Sequence, residues 1–269
     1  MSAPHIASAA NPRIRAAANL RDRRARDDAG LTIVDGGREV RRAVEAGVAV
    51  EEAFVCEALV RTDDARAAVG ALEASGARIW TTSEAAFMKV AFGERAEGVV
   101  AVVRIPSTHL DALRIPEDPL LVVLEAVEKP GNLGAVLRSA DGAGADALIL
   151  ADPRTDPFNP NAIRASAGTA FTVPIATGSS AEAQEWLRGQ AVRVVAARVD
   201  AATDVWDTDL TGPLAIALGS ETDGLSAAWS ANDVTAVRLP MLGIAESLNV
   251  SVAAAVLLYE ARRQRGHLP

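Results

Sequence analysis

Three short segments of this 269-residue chain combine side chains and backbone groups suited to holding a ligand. One lies near the C-terminus: the Pro/Gly-containing loop Leu239-Pro240-Met241-Leu242-Gly243-Ile244-Ala245-Glu246 runs into Ser247-Leu248-Asn249, which opens an apolar helix at Val250-Ser251-Val252. Ser and Asn at a helix start satisfy the orphan N–H groups there, and such an end also offers donors to a ligand. Alone, the segment reads as an ordinary cap. A second segment, Glu128-Lys129-Pro130-Gly131-Asn132-Leu133-Gly134-Ala135-Val136-Leu137-Arg138-Ser139-Ala140, follows the apolar run Leu120 to Leu124, which reads as a buried strand. Asn132 and Arg138 are six residues apart, so a helix starting near Asn132 places Arg138 within its second turn. In the third, the strand Leu214 to Leu218 ends in the turn Gly219-Ser220-Glu221-Thr222-Asp223-Gly224, whose glycines allow a close backbone approach to a ligand.

The elements that must position these residues follow from the apolar pattern. In the second half, strands are expected at Leu120 to Leu124, Ala147 to Leu150, Val192 to Ala197, Leu214 to Leu218 and Ala236 to Leu239. Helices are expected at Asn132 to Ala140, Asn159 to Ser166, Glu182 to Arg188 and Ser247 to Arg263. Continuous apolar strands alternating with helices indicate a parallel sheet covered on both faces. The first half also alternates: helices at Arg38 to Gly47, Asp63 to Ala74 and Ser83 to Val90, strands at Glu52 to Val55, Ala77 to Trp80 and Glu97 to Val103. This predicts a smaller α/β domain, joined to the second by a polar, proline-containing stretch with Pro106, Pro116 and Pro119.

Composition narrows the function classes. At 49% hydrophobic the chain fills one large or two modest cores, and no run reaches the roughly 20 apolar residues of a membrane span. The lone cysteine, Cys56, excludes an internal disulfide and reads as buried filler in a strand. His5, His109 and His267 are scattered, so the chain is read as metal-free and, lacking a secretory apolar core at its start, cytoplasmic. The net charge of −8 opposes a nucleic-acid partner, but its distribution does not. Between residues 11 and 26, Arg13, Arg15, Arg21, Arg23, Arg24 and Arg26 face only Asp22, and Arg38, Arg41 and Arg42 follow. This run reads either as a solvated helix face or as a patch pairing with phosphate oxygens.

Taken in order, the three segments resemble the three sequence motifs of the SpoU family of RNA ribose 2′-O-methyltransferases, within the SPOUT superfamily. Asp156-Pro157-Phe158-Asn159-Pro160-Asn161-Ala162-Ile163-Arg164-Ala165-Ser166-Ala167-Gly168 resembles the family's linker between the first two motifs, and the N-terminal half resembles an L30-like substrate-binding domain. The resemblance implies a substrate domain over residues 1–104, a linker over 105–118 and a methyltransferase domain over 119–269. It implies a deep trefoil knot, bound S-adenosylmethionine, and a homodimer, none of which periodicity could supply. It assigns Asn132, Arg138, Glu221, Ser247 and Asn249 to catalysis or RNA positioning. By motif position Leu218, Gly219, Ile244, Leu248 and Asn249 become donor-binding residues, joined by Gly224 and Met241 from the glycine turn and apolar loop. The arginine run, favoured as a phosphate-contacting patch, gives Arg13, Arg15, Arg21, Arg23, Arg24, Arg26 and Arg41 as the RNA-binding set.

The implied reaction needs no metal, because a sulfonium donor brings its own leaving group, and proximity supplies much of the acceleration. A guanidinium, with a pKa above roughly 12, suits Arg138 to holding phosphate and shaping the field at the 2′-oxygen rather than to taking a proton. The proton acceptor stays open among a phosphate oxygen, Ser247 and water. An Arg138–Glu221 salt bridge is the structural alternative. Ribosomal RNA, the large subunit first, is the expected substrate. Transfer RNA and a non-catalytic RNA-binding role on the same scaffold are the alternatives, whereas a Rossmann dehydrogenase is excluded by the absence of Gly-x-Gly-x-x-Gly after the first strand.

Overall fold

The computed structural model describes residues 4–92 and 96–266, so His267 lies outside the described residues. The chain forms two compact units, one of residues 1–106 with Asp156–Thr172, the other of Ser107–Thr155 with Val173–Pro269.

The first unit is built on a five-stranded mixed sheet. In chain order its elements are β1 (His5–Ile6), α1 (Pro12–Asn19), α2 (Arg23–Ala29), β2 (Leu31–Asp35), α3 (Gly37–Glu45), β3 (Val50–Val55), α4 (Asp63–Ala74), β4 (Ile79–Thr82), α5 (Glu84–Val90) and β5 (Val99–Arg104). The strand order is β1-β4-β3-β5-β2, with β5 antiparallel to both neighbours. Ile14, Ile33, Phe54, Phe87, Val100 and Cys56 share one buried cluster, which places the cysteine in the core as expected.

The unexpected member of this unit is Asp156–Thr172, which the sequence reading leaves inside the methyltransferase domain. Its helix α7 (Pro160–Ala165) packs on β2, and the Thr32 hydroxyl donates to the Phe158 carbonyl at 2.8 Å. Arg42 donates to the Ala167 carbonyl at 2.8 Å. The pattern of the segment specifies a short helix but not the surface it meets, because its partners lie more than a hundred residues away.

Of the basic run, Arg26 is corrected by this packing, while Arg21 is tied to α5. Arg26 is fully buried, paired with Asp156 at 2.6 Å, and donates to the Leu20 and Arg21 carbonyls. A charge so enclosed contacts no phosphate. Arg21 donates one guanidinium nitrogen to the Lys89, Val90 and Ala91 carbonyls, satisfying acceptors at the end of α5, and its partial burial lowers its pKa. Arg26 falls on the inward side of α2 and Arg21 lies in the turn between α1 and α2, placements that a count of charges does not reveal. Arg26→Ala strips Asp156 of its buried partner and is expected to cost about 3–5 kcal/mol of stability in denaturant unfolding. Arg24→Ala, on the exposed face, serves as the comparison and should leave the midpoint unchanged.

The second unit holds a seven-stranded sheet whose neighbours all run parallel, in the order β10-β12-β9-β11-β6-β7-β8. Its strands are β6 (Leu120–Glu125), β7 (Ala147–Ala151), β8 (Ile175–Gly178), β9 (Arg193–Ala197), β10 (Thr203–Asp204), β11 (Leu214–Leu218) and β12 (Val234–Arg238). Its helices are α6 (Pro130–Gly142), α8 (Ser180–Gly189) and α9 (Val250–Gln264). Every residue of β6, β7 and β11 is buried, as an apolar strand covered on both faces requires. The linker expected at 105–118 belongs mostly to this unit: Thr177 donates its N–H to the Thr108 carbonyl at 2.7 Å, and Leu113 enters the core. Its prolines suggest an open tether, but they punctuate an edge that runs beside β8.

Candidate functional site

The site lies at the carboxyl ends of β6 and β11, which pair in register Leu124 to Leu218. In parallel α/β sheets, ligands occupy the crevice beyond the strand ends where the chain departs in opposite directions. Here the chain leaves β6 toward β7 on one side, while β11 flanks it on the other.

Beyond β6, Pro130 occupies the first turn of α6, where its missing N–H costs nothing. Leu133, Gly134, Val136, Leu137 and Ala140 are buried, so the helical period turns Arg138 outward. The side chains of Arg138 and Glu221 form no hydrogen bond or ion pair with another described residue, so the Arg138–Glu221 bridge is not formed. Beyond β11, the Gly219 turn closes through a bridge between Ser220 and Gly224, with the Asp223 N–H donated to the Ser220 hydroxyl at 3.0 Å. Gly224 has φ +65°, and a Cβ on Gly219 would lie 2.0 Å from the Gly224 carbonyl carbon.

The third motif joins the first directly. Asn249 caps α9, accepting from the Ser251 N–H at 2.9 Å, and its amide nitrogen donates to the Asn132 side-chain oxygen at 3.3 Å. α9 packs against α6 and β11. Ahead of the cap the loop is open: Ser247 is exposed, Met241 half-buried, and Leu242, Ile244 and Leu248 are large apolar side chains facing solvent. Apolar groups so placed are surplus to an isolated fold. The structure thus joins Asn132 to Asn249 and pairs β6, which leads to Asn132, with β11, which leads to the Gly219 turn, while the side chains of Arg138, Glu221 and Ser247 stand without partners among the described residues.

A second link crosses the first two motifs. Arg154 donates to Glu128 at 2.5 Å and lies 4.0 Å from Asp223. The Glu128 hydrogen bond, reinforced by its charge, raises the Arg154 pKa.

Sequence reasoning passes over Glu125, the last residue of β6 and 4% exposed. It accepts the Ser226 N–H at 2.6 Å, the Ser226 hydroxyl at 2.7 Å and the Ser180 hydroxyl at 2.5 Å. The available signal is a carboxylate ending an otherwise apolar strand, immediately before a motif.

The remaining arginines of the basic set separate by environment. Arg15, Arg23 and Arg24 are exposed, the last two with only loose i,i+4 contacts to Asp27 and Asp28 at 3.7 and 3.9 Å. Arg13 pairs with Glu52 at 3.0 Å and lies over the Trp80 ring at 4.5 Å, and Arg41 pairs with Asp64 at 3.2 Å.

Comparison with known proteins matches residues 119–259 to the SpoU rRNA Methylase family and residues 11–101 to the MRM3-like substrate binding domain. A 23S rRNA (uridine(2479)-2′-O)-methyltransferase of Streptomyces viridochromogenes is 39% identical over 64% of this chain, and the match spans 63% of that protein's length. The 23S rRNA (guanosine-2′-O-)-methyltransferase RlmB of Ralstonia nicotianae is 38% identical over 74% of this chain and 82% of its own. Among solved structures, the SpoU methyltransferase AviRb of Streptomyces viridochromogenes in complex with AdoMet is 33% identical. It superposes with a TM-score of 0.83, covering 95% of this chain and 98% of its own.

Proposed function

This chain belongs to the SpoU rRNA methylase family, and from that premise we infer that it transfers a methyl group from S-adenosylmethionine to a ribose 2′-hydroxyl of large-subunit ribosomal RNA. The observation that carries this reading is the junction of Asn132 and Asn249 beside the Gly219 turn, with unpaired Arg138 on the same helix as Asn132. The donor site suits a nucleoside: a tight glycine turn offers backbone groups, and the exposed Leu242, Ile244 and Leu248 offer apolar cover. When bound, S-adenosylmethionine supplies an electrophilic methyl group on a sulfonium.

The protein's own contribution is orientation and charge. Leu218, Gly219, Gly224, Met241, Ile244 and Leu248 hold the donor. Asn249, fixed by its capping bond and by Asn132, lines the boundary between donor and RNA. Arg138 holds a phosphate so that the target ribose is aligned in line with the donor. Glu221 and Ser247 sit free to contact the RNA, and the hydroxyl proton passes to a phosphate oxygen, Ser247 or water. The first unit, residues 1–104 by the sequence boundaries, serves as the RNA-binding domain, with Arg13, Arg15, Arg23, Arg24 and Arg41 left for phosphate contact.

The reading extends to three features carried by resemblance: a trefoil knot formed where the Leu239-to-Asn249 loop leads into α9, a homodimer, and action in the cytoplasm. Exposed Val252 and Tyr259 on α9 support the dimer, whose closed two-fold form is the commonest oligomer. Among the described residues, no helix is long and apolar enough to cross a membrane.

The test is incubation with methyl-labelled donor and total ribosomal RNA, followed by alkaline hydrolysis. Label in an alkali-resistant dinucleotide is the expected result. Label on a base would overturn the ribose assignment, and label confined to added transfer RNA would overturn the substrate.

A further inference from the structure

We propose that Glu125 is a positioning residue for methyl transfer, anchoring the donor-binding 219–226 turn to the end of the strand that leads to Asn132 and Arg138. This rests on the donor-site reading above.

A carboxylate at the end of a strand of Leu and Val is expensive to bury and persists only where its acceptors are filled. Glu125 fills them asymmetrically. Two of its three bonds come from one residue, Ser226: the N–H at 2.6 Å and the hydroxyl at 2.7 Å. Ser226 ends the turn that Gly219 begins, and strand register puts Gly219 directly beyond the residue paired with Leu124. The turn is therefore pinned at one end by strand pairing and at the other by Glu125. Gly219, Glu221 and Gly224 lie between the pins. On its own strand Glu125 precedes Ala126, whose φ of 52° bends the backbone sharply into the segment reaching Asn132. One buried side chain thus sets the spacing between the donor turn and the helix that carries Asn132 and Arg138.

The third bond belongs to a separate arm. The Ser180 hydroxyl lies 2.5 Å from Glu125 and 2.7 Å from Asp152, and its N–H donates to Asp152 at 3.1 Å. That arm holds the start of α8, away from the turn. The two arms make the role separable from simple core filling. Ser226→Ala removes a hydroxyl from an exposed residue and leaves the core packed. Ser180→Ala loosens the same carboxylate from the other side. Glu125→Gln keeps the shape: the amide oxygen accepts the Ser226 N–H, and both hydroxyls can rotate to accept from the amide nitrogen.

The experiment measures amide hydrogen exchange across residues 219–226 and S-adenosylmethionine affinity by calorimetry in the full chain. Losing a bond to a charged group is expected to speed exchange and weaken donor binding about tenfold in Ser226→Ala, and more in Glu125→Ala. Glu125→Gln should recover most of the loss seen with Glu125→Ala. Ser180→Ala should lower the melting temperature while moving neither readout by more than about twofold. Equal effects from Ser180→Ala and Ser226→Ala, or none from Ser226→Ala, would reduce Glu125 to a structural group and overturn the proposal. If Glu125→Ala does not fold, the two serine variants still decide it. A wild-type chain that binds no donor would sink the donor-site reading, while exchange in the same variants would still decide whether Glu125 holds the turn.

Discussion

Arg138→Ala is expected to cut the rate of methyl transfer by about 10³-fold with the fold intact. The side chain stands on the solvent face of α6, without a partner among the described residues, so its removal leaves no buried acceptor and no cavity. An exposed, unpaired arginine contributes little to stability; its cost appears only when RNA is engaged. Removing it withdraws a fixed charge and the fork that aligns the phosphate, and both losses fall on the reacting complex. Single-turnover rates, donor affinity and melting temperature, measured together, separate these effects. Turnover should collapse while affinity and melting stay at wild-type values. Arg138→Lys keeps the charge but not the paired donors and should fall between the two. Retention of more than about a third of wild-type turnover by the alanine variant would remove Arg138 from the chemistry.

Gly219→Ala should abolish donor binding, by about a hundredfold or more, at the cost of local structure alone. Its Cβ would lie 2.0 Å from the Gly224 carbonyl carbon and 2.1 Å from its oxygen, and these are backbone atoms that cannot swing aside. The turn must open, and with it the bridge between Ser220 and Gly224. Gly224→Ala makes a useful contrast, since nothing lies within 4 Å of its Cβ. There the obstacle is φ +65°, a left-handed conformation costing an alanine about 1–2 kcal/mol. The first variant fails for lack of space and the second for backbone angle, so calorimetry should rank Gly219→Ala well below Gly224→Ala. Equal donor affinity for Gly219→Ala and wild type would exclude this turn as the donor site.

Much of this arrangement was legible in residue order. β6, β7, β9 and β11 follow from runs of apolar residues, as parallel strands covered on both faces favour, although β6 ends on Glu125 and β9 opens on Arg193. Asn132 and Asn249 were assigned by motif, and the structure joins them across 117 positions of chain. What stayed hidden depended on tertiary partners. Leu-Thr-Ile-Val-Asp of β2 follows an arginine-rich stretch whose charge draws attention from a short strand. Arg26 shares its run with Arg23 and Arg24, yet it alone of the three is buried, toward an aspartate 130 residues away. Glu125 is hidden in the pattern because an apolar run defines a strand only as far as its last apolar residue, and the serines that fill its carboxylate lie 55 and 101 positions away.

The membership of Asp156–Thr172 in the first unit separates the order of synthesis from the order of completion. When residue 106 has been made, β2 still lacks α7, Thr32 its carbonyl acceptor and Arg26 its carboxylate. A further 59 residues, to the end of α7 at Ala165, must be added before the last of those partners exists, roughly 3–12 s at ordinary translation rates. During that interval the nascent chain carries an unneutralised guanidinium and an uncovered sheet face, and the closing piece arrives only after β6 and β7 have been made. The amino-terminal unit is therefore begun first but cannot be finished until β6 and β7, two of the seven strands of the second unit, have been made.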